Sequence, residues 1–341
     1  MKVTAKKIAE ELNLSLATVD RALHSRGNVS PKTVQRVLAK AKELNYKPNK
    51  SALFLSKRKY VRLAFLFPHY PAYFWEGIET GIQSALDDVQ DYGFEINIFK
   101  TNYCLKDQKE AVEEIIATNL YNGLVICPVD DQQLTQLIAE TGGDDFAIFT
   151  FNNDSPLSNR LSYVGANYHQ AGRLAGEVLS LLTYQPKQLA LIVDDSNTNQ
   201  MRDKRQGFET FMAEQSPLTN VHVLKINNSQ LDQSIRSCLE QLTSADGIYV
   251  ACGSLAEVAN AMTHFPEFIN VKLIGHDMSQ AIYQHLQQGT VAATICQNPY
   301  YQGILAVRTA FDHLMLEQPI DNKEKIVKLE IVTKENSFYY L

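Results

Sequence analysis

Apolar residues recur at three- and four-residue spacing in three short segments at the start of the chain. Such spacing places apolar side chains on one face of a helix. Ser15 can cap the second helix, and Ser30-Pro31 is a cap followed by proline at the first helical position, where the missing N–H does no harm. The pattern predicts three helices, with a short break at residues 13–14, and their apolar faces are Ile8, Ala9 and Leu12; Val19, Ala22 and Leu23; and Val34, Val37, Leu38, Ala41 and Leu44.

From residue 61 onward, apolar runs alternate with amphipathic stretches. Several runs are continuous and rich in Val, Ile and Phe, as in strands buried on both faces of a parallel sheet. This alternation predicts an α/β architecture with parallel sheets and helices on both sides. Residues 161–166 look like the passage to a second α/β series that begins at Gln188. The strand-like runs are 61–67, 95–99, 123–129, 146–151, 188–193, 221–226, 247–251, 271–274 and 291–295, and the helical patterns include 74–89, 108–117, 168–182 and 300–316.

Charge divides the chain at the same boundary. Residues 1–60 contain 14 Lys and Arg against 4 Asp and Glu, a net charge of +10, whereas residues 61–341 contain 18 and 34, a net charge of −16. The overall charge of −6 conceals this division. A basic segment of three short helices with a tight break between the first two is typical of a helix-turn-helix unit, whose second helix lies in the major groove of DNA. A small helical protein-interaction module is the alternative, and the charge argues against it.

Several residue clusters within 3–58 resemble the LacI-type transcriptional regulators. The clusters are Val3-Thr4, Ile8-Ala9, Ser15-Leu16-Ala17-Thr18-Val19-Asp20-Arg21-Ala22-Leu23, Val29-Ser30 and Leu44-Asn45-Tyr46-Lys47-Pro48-Asn49. The resemblance implies a DNA-binding headpiece at residues 1–47, a hinge helix and linker at 48–60, and a bilobal ligand-binding and dimerisation domain at 61–341. In such proteins the hinge helix orders on operator DNA. It wedges a leucine, here Leu55 beside Ala52, into the minor groove, where an apolar side chain can kink the duplex.

The resemblance also assigns DNA contacts in the headpiece. Leu16, Ala17 and Arg21 would contact base edges, because the guanidinium fork of Arg21 can engage guanine O6 and N7 together and the other two offer apolar contact. Asp20, where many relatives have serine, would orient Arg21 or accept from a cytosine amino group. For the Ser and Thr candidates, helix capping is an alternative or additional role. The remaining candidates are Thr4, Ser15, Thr18, Asn28, Thr33 and Asn49, with Lys6, Lys32 and Lys57 as neutralisers of phosphate charge.

Polar and aromatic residues follow the predicted strands of residues 61–341, where ligands bind in open α/β sheets. Polar and aromatic side chains together suit a sugar, because its hydroxyls both accept and donate hydrogen bonds while the C–H face of its ring stacks on an aromatic ring. This part is similar to the ribose- and galactose-binding periplasmic proteins that LacI-type regulators carry as a sensor. It departs from them at Cys252-Gly253-Ser254, where ribose binders have an amide or acidic residue, so a purine or another metabolite is an alternative ligand. The resemblance implies ligand contacts at Phe74, Asp130, Asn152, Asn153, Arg202, Asp277 and Gln297.

Other classes of function lack their signatures in the sequence. No Gly-x-Gly-x-x-Gly or P-loop pattern offers a phosphate cradle, and no Gly-x-Ser-x-Gly elbow or HExxH motif occurs. The 8 histidines show no metal-type pairing, and the 5 cysteines have no CxxC spacing and are expected to be reduced core residues. We therefore expect no enzymatic activity, metal or cofactor. No long apolar segment opens the chain, so we expect a cytoplasmic, nucleoid-associated protein without a membrane span.

These patterns together predict a ligand-responsive transcription regulator, specifically a repressor of carbohydrate-utilisation genes. Two protomers would bind a pseudo-palindromic operator, each reading one half-site. A ligand that closes the cleft between the lobes would change their orientation and release DNA, whereas a corepressor that closes the same cleft would favour DNA. We expect a dimer, because the 5 residues after Asn336 are too few for a tetramerisation helix.

Overall fold

The computed structural model describes residues 5–23, 29–44, 59–143, 145–196, 198–242 and 244–341. The chain divides into two compact units, Met1–Tyr60 and Val61–Leu341. Most of the predicted hinge helix lies outside the described residues. So do the predicted DNA contacts Thr4, Asn28, Asn49, Ala52, Leu55 and Lys57.

The first unit contains helices α1 (Ala5–Leu12), α2 (Leu16–Leu23) and α3 (Pro31–Glu43), as the apolar spacing predicts. Ser30 caps α3, because its hydroxyl accepts a hydrogen bond from the backbone N–H of Thr33 at 3.2 Å. The apolar face of α3 is narrower than predicted, since Leu38 is 49% exposed. The buried core of this unit consists of Ile8, Ala9, Val19, Ala22 and Val37.

The second unit alternates strands and helices along its whole length. No helix in the described ranges is long and apolar enough to cross a membrane. In chain order the elements are β1 (Val61–Pro68), α4 (Ala72–Asp87), β2 (Phe94–Thr101), α5 (Leu105–Ala117), β3 (Gly123–Ile126), α6 (Gln132–Thr141), β4 (Ala147–Phe151), β5 (Ser162–Gly165), α7 (Tyr168–Thr183), β6 (Gln188–Asp194), α8 (Asn199–Gln215), β7 (Asn220–Ile226), α9 (Leu231–Glu240), β8 (Gly247–Val250), α10 (Leu255–Met262), β9 (Lys272–His276), α11 (Gln280–Gln288), β10 (Val291–Cys296), α12 (Pro299–Leu314), β11 (Glu324–Ile326) and β12 (Glu330–Val332).

Two six-stranded sheets define two lobes. The sheet of the first lobe has the order β11-β5-β4-β3-β1-β2, and that of the second lobe has the order β12-β10-β9-β8-β6-β7. All neighbouring strands are parallel except β12, which runs antiparallel to β10. The predicted α/β architecture with parallel sheets is therefore confirmed.

The chain crosses between the lobes three times. Residues 161–166, interpreted from the sequence as the passage itself, form mainly β5 of the first lobe, because β5 pairs with β4 and β11. The first crossing follows at residues 166–167, immediately before α7. The chain returns at residues 297–298, between β10 and α12, and crosses again at residues 327–329, between β11 and β12. The second and third crossings have no apolar run that would reveal them in the sequence.

Helices α7 and α8 of the second lobe pack closely against each other. Gly172 of α7 makes this approach possible, because a Cβ atom there would lie 2.0 Å from the backbone oxygen of Lys204 on α8. A larger residue at this position would push α8 outward. The glycine thus sets the distance between the backbone of Lys204 and α7, and with it the position of Lys204 relative to the sheet of the second lobe.

Candidate functional site

The carboxyl ends of the parallel strands of both lobes meet at one cleft. Ligands bind at this edge in open α/β sheets. The cleft encloses about 880 Å³ of space, including its open mouth. The lining residues at or just after strand ends are Pro68, Cys127 and Asn152 in the first lobe and Asp194, Ala251, His276, Asp277 and Gln297 in the second.

Aromatic side chains form the first-lobe wall of the cleft. Phe74 and Trp75 lie in the first turn of α4 and are both buried. Trp75 stacks on Phe67 with ring centroids 5.1 Å apart, and its Nε1–H donates to the backbone oxygen of Tyr70 at 3.1 Å. The ring of Phe74 meets Trp75 edge-on with centroids 5.2 Å apart. Phe74, a predicted ligand contact, therefore lies in the cleft lining on a rigid aromatic support.

Two predicted ligand residues, Asp277 and Gln297, meet at the bottom of the cleft. Gln297 Nε2 donates to Asp277 Oδ2 at 3.2 Å, and Tyr168 donates its hydroxyl to Gln297 Oε1 at 3.1 Å. Asp277 is 8% exposed, and within the described residues its Oδ1 has no hydrogen-bond partner. Burial raises the pKa of the Asp277 carboxyl to about 6. A buried acceptor without a donor is costly, and a ligand hydroxyl that donates to Oδ1 would remove this cost.

The two adjacent asparagines after β4 have different surroundings. Asn152 lines the cleft, adopts the left-handed backbone conformation (φ 58°), and its Nδ2 has no partner in the described part of the chain. Asn153 donates from Nδ2 to the backbone oxygen of Pro128 at 2.6 Å and to the hydroxyl of Tyr103 at 3.0 Å. The amide of Asn152 is therefore available in the cleft, whereas Asn153 bonds to Pro128 and Tyr103 of its own lobe and accepts from the N–H of Gln200 of the second lobe.

Lys204 lines the cleft and was not predicted from the sequence. It is 3% exposed, its Nζ donates to the backbone oxygen of Ala251 at 2.9 Å, and the ammonium lies 5.5 Å from the ring centroid of Tyr168. Burial lowers the pKa of the Lys204 ammonium. The sequence could have predicted the burial of Lys204, because Met201, Lys204 and Phe208 fall on one face of α8. The charged run at residues 202–205 concealed it, because such a run is typical of a solvated helix surface.

Burial favours the neutral form of two cysteines and one histidine of the cleft lining. Cys127 of the first lobe and Cys252 of the second are free thiols, and burial raises the pKa of each to about 12. Burial lowers the pKa of His276 well below its usual value, and its Nε2 is hydrogen-bonded to the hydroxyl of Tyr249 at 2.7 Å. Within the described ranges, no cluster of His, Cys, Asp and Glu side chains is arranged to hold a metal ion.

Asp130 and Arg202 do not join the cleft lining, although both were predicted as ligand contacts. Arg202 Nη2 pairs with Asp130 Oδ2 and also bonds to Asn199 Oδ1. Asn199 Nδ2 donates to Asp130 Oδ1 at 3.4 Å. Because Asp130 belongs to the first lobe and Arg202 to the second, the pair connects the lobes at the rim of the cleft.

In the first unit, α2 has a buried face and an exposed face. Val19 and Ala22 are buried, whereas Leu16, Ala17 and Arg21 are exposed. The three predicted base-reading residues thus share the solvent-facing side of α2. Asp20 is partly buried on the same helix.

Among the described Ser and Thr candidates, Ser15 caps α2, whereas Thr18 and Thr33 bond to the caps Ser15 and Ser30. Ser15 accepts from the backbone N–H of Thr18 at 3.0 Å, and the hydroxyls of Ser15 and Thr18 are 2.8 Å apart. The hydroxyls of Ser30 and Thr33 are likewise 2.8 Å apart at the start of α3. Ser15 remains exposed while it caps, so capping leaves it open to a phosphate.

Comparison with known families assigns both parts of the chain. Residues 63–318 match the periplasmic binding protein domain, and residues 4–49 match the bacterial regulatory proteins of the lacI family. The chain belongs to the lacI family of bacterial regulatory proteins. This lacI-family protein is therefore a transcription regulator and not an enzyme.

Two relatives are transcription regulators by name. The chain is 23% identical to the HTH-type transcriptional regulator DegA of Bacillus subtilis over 215 residues, which cover 63% of this chain and 62% of DegA. It is 20% identical to the ribose operon repressor of Halalkalibacterium halodurans over 338 residues, which cover 98% of this chain and 97% of the relative. The similarity to the second relative thus includes both units.

Two solved structures share the fold of the lacI-family protein. A protein of Bacteroides fragilis described as a LacI transcriptional regulator has a TM-score of 0.75 at 21% identity, covering 83% of this chain and 100% of that one. A solute binding protein of Burkholderia graminis in complex with D-arabinose has a TM-score of 0.73 at 18% identity, covering 82% of this chain and 97% of that one. At this identity the similarity establishes the bilobal fold alone.

Proposed function

We propose that the protein is a repressor that binds a pseudo-palindromic operator as a homodimer and releases it when a small sugar fills the cleft. One observation carries the proposal. The chain that bears a basic helix-turn-helix unit also contains an interlobe cleft whose buried polar atoms, Asp277 Oδ1 and Asn152 Nδ2, lack partners within the described residues. Operator binding would locate the protein on the chromosome in the cytoplasm.

The exposed side of α2 supports the operator contacts. Arg21 reads guanine through two parallel hydrogen bonds, while Leu16 and Ala17 contact thymine methyl groups. Asp20 orients Arg21 or accepts from a cytosine amino group. Ser15 contacts a phosphate in addition to capping α2, and Thr18 and Thr33 contact phosphates in addition to bonding to the caps Ser15 and Ser30. The hinge and loop contacts Thr4, Asn28, Asn49, Ala52 and Leu55 remain predictions from the sequence.

The composition of the cleft supports a sugar. Phe74 offers an aromatic ring to the C–H face, Asp277 accepts from a hydroxyl, and Asn152 and Gln297 supply amides. The ribose operon repressor among the relatives agrees with this class of ligand. Because Asp277 and Asn152 belong to different lobes, a ligand that bonds to both stabilises the closed cleft. Closure changes the orientation of the lobes and, through the dimer, separates the two headpieces from their half-sites.

Selection of DNA followed by ligand titration tests this function. The purified protein is used to enrich duplexes from a random library, and binding to the enriched sequence is followed by fluorescence anisotropy. We expect an inverted repeat, and release by at least one of D-ribose, D-galactose, D-glucose and D-arabinose. The Asp277→Ala variant should bind the same DNA and ignore the sugar.

Other outcomes reject specific parts of the proposal. Failure to enrich any sequence rejects the DNA-binding role. Tighter DNA binding with sugar identifies a corepressor instead of an inducer, and release by adenine or guanine alone rejects the sugar. Size-exclusion chromatography with light scattering would reject the homodimer if the protein were monomeric at the concentrations that bind operator.

A further inference from the structure

The charged groups that line the cleft carry one net negative charge. Among the lining residues, Asp194 and Asp277 are carboxylates and Lys204 is the cation. The histidine and the two thiols of the lining are neutral, as described above. A buried cleft of this charge disfavours a ligand with further negative charge.

Lys204 and Asp277 offer complementary hydrogen-bonding groups to a hydroxyl. No direct ion pair within 4.0 Å joins these two described residues, although each is buried in the same cleft. After donating to Ala251, the ammonium keeps N–H groups to spare, and Asp277 keeps Oδ1 as a free acceptor. A hydroxyl can accept from the ammonium and donate to the carboxylate at once. A phosphate oxygen can only accept at neutral pH, so it would satisfy Lys204 and face repulsion from Asp277.

Two of the helix N-termini beside the cleft each commit an N–H group to a capping side chain, whereas α4 and α10 have no side-chain cap. Helix N-termini bind phosphate through uncommitted N–H groups. At the start of α8, Met201 N–H donates to Thr198 Oγ1 at 3.1 Å, and at the start of α12, Tyr301 N–H donates to Asn298 Oδ1 at 3.0 Å. The first turn of α10 contains the carboxylate of Glu257. At the rim, the charge of Arg202 is offset by Asp130.

We propose that Lys204 and Asp277 together select an uncharged, polyhydroxylated ligand and exclude the phosphorylated form of the same sugar. This inference rests on the sugar-responsive function proposed above and specifies the ligand of that site. Lys204 is a ligand-binding residue in this assignment, and Gly172 and Ala251 hold it at the required position.

Isothermal titration with matched pairs of ligands tests the selection. The full-length protein is titrated with D-ribose and D-ribose 5-phosphate, D-galactose and D-galactose 6-phosphate, and D-glucose and D-glucose 6-phosphate. We expect at least one free sugar to bind, with its phosphate at least about tenfold weaker. The Lys204→Met variant should lose about 10- to 100-fold in affinity for the free sugar, as expected for a hydrogen bond to a charged group. Asp277→Asn should narrow the gap between the sugar and its phosphate.

Matched controls separate selection from misfolding. Lys225→Met removes an exposed lysine of the same lobe and should leave both affinities unchanged. Circular dichroism and operator binding establish that each variant is folded. A phosphate that binds as tightly as its parent, unchanged affinity in Lys204→Met, or the absence of binding by every free sugar overturns the inference. If a phosphorylated sugar alone binds and releases the operator, the inference fails while the regulatory function stands.

Discussion

Asp277 combines features that a purely structural residue would rarely have. Its backbone is left-handed (φ 66°), its side chain is buried, and one carboxylate oxygen has no partner among the described residues. Each feature lowers the stability of the fold, and such features are typical of functional sites. The neighbouring Gln297 bonds to the other oxygen, Oδ2. These features support the ligand contact proposed for Asp277.

The pKa of Asp277 makes ligand affinity depend on pH. The ligand-free carboxyl has a pKa of about 6, and a hydroxyl that donates to Oδ1 favours the ionised form. Affinity should therefore fall as the pH decreases through 6, by about tenfold between pH 7 and pH 5. Titration calorimetry over this range measures the effect. Asp277→Asn is the control and should give a nearly flat profile, while an equally steep profile in this variant would assign the dependence to another group.

A second residue-scale prediction concerns Arg21 on the exposed side of α2. Arg21→Ala should weaken specific operator binding by roughly 1–3 kcal/mol and affect random DNA little, because the lost contact reads a base edge. Fluorescence anisotropy with both duplexes measures the difference. Arg36→Ala, at an exposed arginine of α3, is the matched control. Equal losses on both duplexes would identify Arg21 as a phosphate contact.

At the scale of elements, the α7–α8 contact positions the cleft cation. Gly172→Ala places a Cβ atom 2.0 Å from the backbone oxygen of Lys204 and should cost roughly 1–3 kcal/mol of folding free energy, with weaker sugar binding because Lys204 moves. Gly143→Ala is the control, because a Cβ there meets no atom within 4 Å and should change stability by less than about 0.5 kcal/mol. Thermal unfolding compares the two. Similar melting temperatures would show that the helices separate without strain.

Elements with a strong local pattern were predictable, and those formed by tertiary contact were not. The apolar run of β1 identifies it as a buried strand, whereas β11 (Glu-Lys-Ile) has no such run and extends only because it pairs with β5. The cleft residues likewise divide into those that a local sequence pattern predicts and those that depend on tertiary contacts. Strand ends and the family resemblance pointed to Asp277 and Gln297, which both line the cleft, but the burial of Lys204 depends on packing against α7, a contact with no local pattern in the sequence.

At the scale of the whole molecule, the rim pair Asp130–Arg202 distinguishes closure from direct ligand contact. The side chains are 28% and 48% exposed, and an ion pair of this kind contributes about 0.2–1 kcal/mol. Arg202→Met should therefore weaken sugar binding by less than about fivefold, and the effect should diminish at high salt. Binding titrations at two salt concentrations test this. A loss that equals that of Lys204→Met would make Arg202 a ligand contact, as the sequence predicted.

The reactivity of the two cleft cysteines can be used to measure how often the lobes open. Cys127 and Cys252 belong to opposite lobes, and burial holds both in the unreactive protonated form. Thiolate chemistry at either residue requires exposure to water, which the closed cleft denies. After Cys104, Cys238 and Cys296 are replaced by alanine, the rate of alkylation by a maleimide would follow the time that the lobes spend apart. A sugar that slows this reaction would be detected without an attached dye, a DNA duplex or knowledge of the operator.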